Sequence, residues 1–147
     1  MFPMNWVEHR ARCDQYLGNS AEVWSQVRSA VQEACKSYAQ HYGHTGAYEL
    51  HCNAEHANRL EIERTLPPDR IFRSTAELRR IVVTFVDDQL AIEVASNFVG
   101  QNTRFSISSD EDSAFVAMEG TRLSSEEASR RILEPLLFPA DERRHPI

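Results

Sequence analysis

Between residues 20 and 42, apolar side chains return every three or four positions: Val23, Trp24, Val27, Ala30, Val31, Ala34, Cys35 and Tyr38. That spacing lines them up on one stripe of an α-helix roughly 35 Å long, which needs a sheet or another helix to cover it. Asn19 with Glu22 three positions on resembles a capping box, and Gly43 and Gly46 end the helix. Ahead of it, residues 5–17 predict a shorter helix, with Asn5 as its cap, Gly18 beyond its end, and Trp6, like Trp24, as a core anchor.

From Tyr48 the period changes from helical to alternating. Tyr48, Leu50 and Cys52 fall on one side of a first strand, with Glu49, His51 and Asn53 on the other. Leu60 and Ile62 alternate with Glu61 and Glu63 in a second strand, and residues 54–57 form the hairpin loop between the two. Pro67 and Pro68 stop the second strand, since neither can donate to a ladder. In the connection that follows, residues 74–79 predict a helical turn.

The segment 79–99 carries the strongest pattern. Ile81, Val83 and Phe85 alternate on the way in; Leu90, Ile92 and Val94 alternate on the way out. A two-residue turn at Asp87 and Asp88 would set Phe85 opposite Leu90, Val83 opposite Ile92 and Ile81 opposite Val94, all on one face. The other face holds Val82, Thr84 and Val86 against Ala91, Glu93 and Ala95, an unusually apolar set for a solvated surface. Phe105 and Ile107 give a fifth strand and residues 114–118 a sixth, whose inward parity stays open between Phe115 and the Val116/Met118 pair. Ser124 and Glu127 make a capping box for a C-terminal helix that buries Ala128, Ile132 and Leu133 and ends or kinks at Pro135. The expected fold is therefore α+β over a single domain, 1–147. It is an antiparallel meander of five or six strands with an N-terminal helical pair and a C-terminal helix on one face.

Composition narrows the partners. The formal net charge is −6, and of the 16 basic residues only Lys36 is lysine. The arginines are scattered among acids, so no basic face exists to attract nucleic acid or an anionic membrane. No apolar run approaches the roughly 18 residues of a membrane span, and no basic-then-apolar leader opens the sequence. Three cysteines, Cys13, Cys35 and Cys52, form no CxxC pair and predict free thiols. Together these features predict a soluble cytoplasmic protein.

Candidate chemistry centres on residues 40–56, where His41, His44, His51, Cys52 and His56 crowd together. Zinc needs ligands converging within about 2.3 Å of one point. Strand parity sends His51 and Cys52 to opposite faces, and an extended strand puts roughly 30 Å between His44 and His56. The expectation is no metal and no cofactor. The carboxylate groups at Asp87-Asp88 and Asp110-Glu111-Asp112 fall in turns, the least expected place for burial to raise a carboxyl pKa, so no general acid–base pair is expected there. With only five glycines there is no phosphate-cradling loop and no catalytic elbow. No catalytic residue is assigned.

Two functional readings follow. The first is an interaction or scaffold domain, self-associating as a homodimer or binding a protein partner. Its surface would be Val82, Val86, Ala91, Ala95 and Phe98 with Leu136, Leu137 and Phe138. The second is a small-molecule-binding protein or enzyme with a pocket between the long helix and the sheet. Trp24, Tyr38, Tyr48, Cys52 and Phe85 would line it.

Overall fold

The alternating segments become a seven-stranded antiparallel sheet in which every strand pairs with its sequence neighbour. The structure is a computed structural model that describes residues 6–11, 19–42, 50–68, 74–98, 102–110 and 112–138. The long helix α1 (Ser20–Tyr42) precedes the sheet. The strands follow as β1 (Leu50–Asn53), β2 (Arg59–Leu66), β3 (Glu77–Val86), β4 (Ala91–Ser96), β5 (Thr103–Ser109), β6 (Ala114–Met118) and β7 (Thr121–Leu123). Helix α2 (Ser125–Leu137) closes the order. Of the helix predicted over 5–17, residues 6–11 are helical, and residues 12–18 lie outside the described residues. Trp6 is no core anchor, being 57% exposed.

Both helices cover one face of the sheet. Val23, Trp24, Val27, Val31 and Cys35 of α1 and Ala128, Ile132, Leu133 and Leu136 of α2 join a single apolar cluster with Leu60, Ile62, Ile81, Val83, Ile92, Phe105, Ile107, Val116 and Leu123. Each fully buried Val, Leu, Ile or Phe contributes about 1.5–3 kcal/mol, so this seam carries most of the fold's stability. Val116 pairs with Ile107 and Leu123, which settles the parity of β6: Val116 points inward and Phe115 outward.

Several expectations are corrected. The sheet has seven strands, because Glu119 (φ 51°) and Gly120 (φ 80°) turn the chain back after β6 and leave Met118 opposite Thr121. Positive φ at both central positions is what a tight two-residue hairpin requires. The β3–β4 hairpin is two residues out of the predicted register, with Phe85 opposite Ile92 and Val83 opposite Val94. Its loop runs over residues 87–90, ending on Leu90 in the left-handed region at φ 49°. A shift of two preserves side-chain parity, so the inward set is unchanged. Residues 77–79 extend β3 instead of forming a helical turn. Pro135 sits inside α2, which continues to Leu137.

Candidate functional site

The middle of the space between α1 and the sheet is filled, with clefts of about 460 Å³ beside β6 and β7 and about 260 Å³ beside β1 left at its ends. Trp24 and Phe85, both expected beside a ligand, stack with ring centroids 5.8 Å apart and an interplanar angle of 10°. Trp24 is 3% exposed and Phe85 6%. The indole Nε1 donates to the Ala57 carbonyl at 2.8 Å, and the Arg28 guanidinium donates to the same oxygen at 2.6 Å, so both residues clamp the β1–β2 loop. Tyr38 is half-buried on α1, and Tyr48 lies outside the described residues. The predicted pocket set is thus split: a stacked core pair, a half-buried tyrosine, and Cys52 at the sheet edge.

The residues proposed for an interface are also divided. Val82, Val86, Ala91 and Ala95 do lie on the sheet face away from the helices, but rows of charge run between them. Glu63 bonds Arg80 at 2.7 Å across β2 and β3, and Glu93 meets Arg104 at 3.1 Å across β4 and β5. Phe98 packs against the core edge with the Arg79 guanidinium 5.2 Å from its ring centroid. Leu136 is fully buried, whereas Phe138 is 54% exposed.

A groove of about 1190 Å³ lies between α1 and α2. On the α1 side its wall is made of small side chains, Ser25, Ser29, Ala30 and Ala34, which leave room beside the helix backbone. Leu133, Leu137 and Phe138 of α2 supply the apolar side. Glu22, Glu33, Glu126 and Glu134 ring the groove against Arg130, so the rim is acidic. Sequence periodicity puts Ala30, Ala34 and Leu133 on the apolar stripes of two helices and Ser25, Ser29 and the four glutamates outside them. That the two faces meet is decided by how the helices dock, which no local pattern records.

Arg64 is the residue that sequence reading missed. It follows the inward parity of Leu60 and Ile62 and is fully buried beneath the end of α2. Its Nη1 donates to the carbonyls of Leu136 at 3.0 Å and Leu137 at 3.2 Å, satisfying acceptors that the helix end leaves open. A cation there also complements the negative end of the helix dipole.

The histidine cluster disperses. His41 Nδ1 lies 2.8 Å from the Ser37 carbonyl one turn back, His51 faces Glu63 on the outer sheet face, and His56 is exposed in the β1–β2 loop. His44 lies outside the described residues. Among the described residues, no three His, Cys, Asp or Glu side chains converge as a metal site would need. Asp110 is a turn device: it accepts backbone hydrogen bonds from Asp112 and Ser113, both at 2.8 Å, and meets Arg122 at 3.0 Å. Those bonds hold its carboxyl below the usual range.

Cys52 does have a neighbour. It faces Cys35 of α1 across a cleft of about 260 Å³ that Gln32, Lys36, Ala39 and Leu50 also line. The Cys35 thiol beside it, helped by the charge of Arg28 and opposed by partial burial, lowers the Cys52 pKa to about 7. The same contact with Cys52, together with burial, pushes the Cys35 pKa up. Both thiols are free. No family model matches the chain, and no curated protein or solved structure matches it.

Proposed function

We propose that this chain is a cytoplasmic interaction domain whose α1–α2 groove receives a basic amphipathic helix of a partner protein. The observation that carries the reading is the groove itself, a ligand-sized channel with small side chains on one wall and Leu133, Leu137 and Phe138 on the other. An amphipathic helix buries an apolar stripe in such a channel, and small residues on the receiving helix allow close approach. Four glutamates against one arginine around the groove favour lysine and arginine on the polar face of that helix. The chain's net charge of −6 points the same way, and away from nucleic acid. Among the described residues no helix is long and apolar enough to cross a membrane, and free thiols suit a reducing compartment. The small-molecule reading places its pocket between α1 and the sheet, where Trp24 and Phe85 stack and a cleft of about 460 Å³ is left beside β6 and β7.

The test uses two synthetic amphipathic helices of about four turns, identical in their apolar stripe, one with lysines on the polar face and one with glutamates. Fluorescence anisotropy is expected to show binding of the lysine peptide, weakened by salt, and at least tenfold weaker binding of the glutamate peptide. Ala30→Arg, which fills the groove from the surface of α1, is expected to abolish binding while circular dichroism and melting stay unchanged. Equal binding of the two peptides, or undiminished binding to Ala30→Arg, overturns the proposal.

A further inference from the structure

The α1–β1 cleft places two thiols of opposite character against each other. Cys52 sits on the four-residue strand β1, which among the described residues pairs on one side only, with β2, and its side chain is exposed. Cys35 lies on the sheet-facing stripe of α1 and is 5% exposed. The two line one small cleft. Arg28, about two helical turns before Cys35, and Lys36, beside it, supply positive charge there; Arg28 is fixed by its bonds to the Ala54 and Ala57 carbonyls. An exposed thiol that ionises readily beside a second, shielded thiol is the arrangement that peroxide-sensing proteins need. An edge strand also has the freedom to make the small shift that bond formation requires.

We propose that Cys35 and Cys52 are a redox-responsive pair that a hydroperoxide converts to an intramolecular disulfide, with Cys52 attacking and Cys35 resolving. In the first step the Cys52 thiolate attacks the terminal peroxide oxygen, the O–O bond breaks, and the alkoxide or hydroxide leaves as alcohol or water after taking a proton. Cys52 is then a sulfenic acid. Its negative charge is gone, so the interaction that held the Cys35 proton in place is gone with it. The Cys35 sulfur attacks the Cys52 sulfur, the S–O bond breaks, and hydroxide leaves with the Cys35 proton as water. The two thiols have lost two electrons and the hydroperoxide has gained them. The product staples the sheet-facing side of α1 to the edge of the sheet, and a dithiol reductant reverses it.

The experiment treats the full-length Cys13→Ser protein with equimolar hydrogen peroxide near pH 7.5 and reads intact mass and peptide maps. The expected product is lighter by about 2 Da, contains one peptide pair joined through Cys35 and Cys52, melts higher than the reduced form, and returns to the starting mass with dithiothreitol. Cys35→Ser, checked for folding by circular dichroism beside Cys35→Ala, is expected to stop at a sulfenic acid that dimedone traps on Cys52. Cys52→Ser is expected to react at least tenfold more slowly than the parent. An unchanged mass, or oxygen adducts on Cys52 without the linked peptide pair, overturns the proposal. Because this readout involves neither the groove nor a peptide, its failure leaves the partner-binding proposal untouched, and the reverse holds.

Discussion

The two faces of the sheet are built from the same strands and reach opposite solutions. On the helix-covered face, Leu60, Ile62, Val83, Ile92 and Phe105 are all fully buried. On the other, apolar positions such as Val82 and Val86 alternate across the strands with Glu61, Glu63, Arg80, Glu93 and Arg104. The long charged side chains there can lie over neighbouring apolar surface with their heads in water, which leaves Val82 and Val86 half-buried with no covering element among the described residues. A count of apolar residues along β3 and β4 makes the second face resemble an interface; reading across the strands reveals the charged rows that interrupt it. The covered face also holds a charge, Arg64, but only where helix carbonyls meet it. Charge on the open face needs water. On the covered face it needs fixed acceptors.

The sharpest way to break that contrast is to hollow the covered face. Phe85→Ala removes the partner of the Trp24 ring and leaves a cavity under α1, so unfolding in urea should show a loss of about 4 kcal/mol. Arg64→Ala is expected to cost about 3 kcal/mol, because it strands the Leu136 and Leu137 carbonyls away from water. Arg64→Met, which keeps the apolar stem, should lose less than Arg64→Ala. Equal losses would mean that the two carbonyl bonds, not packing of the stem, carry the whole effect, and a negligible loss for Arg64→Met would mean the reverse.

The covered face was largely legible in the sequence, since alternation over residues 59–66, 81–86 and 103–107 fixes which side chains point inward. What escaped has physical reasons. β7 is three residues long, too short for a period, and only the Glu119-Gly120 pair hinted at its hairpin. The β3–β4 register depended on Leu90 adopting a left-handed conformation that its side chain gives no reason to expect. Arg64 looked like one more surface cation because its acceptors arrive from α2, more than seventy residues later in the chain. The α1–α2 groove and the Cys35–Cys52 pair share that character: each joins positions whose meeting is set by docking of α1 and not by local pattern.

At the far end of α2 from Arg64 the helix is closed by local chemistry alone. Ser124 Oγ accepts from the Glu127 amide at 3.1 Å, and the Glu127 carboxylate accepts from the Ser124 amide at 3.2 Å. Ser124→Ala is therefore expected to cost about 1 kcal/mol by urea unfolding, well below the Arg64 effect. A larger loss would show that this end of α2 bears on the groove as well as on itself.

The smallest expected effect belongs to the open face, and it decides how that face is used. Val86 is half-buried in a row with Ala91, Ser106 and Ala117, one pleat from the Glu93–Arg104 pair. If the face is solvated, Val86→Glu sets one more carboxylate in water near Arg104, and stability should change by under about 0.5 kcal/mol. Light scattering should then give a mass close to 16.9 kDa for wild type and variant alike. If the face is instead a two-fold interface, the wild type will show twice that mass, and the new carboxylate, dry and unpaired against its own copy, will split the dimer. Ion pairs lying between the apolar positions favour the first outcome, because a dry interface across Glu63–Arg80 and Glu93–Arg104 would have to strip water from four charges to gain contact between a few small side chains.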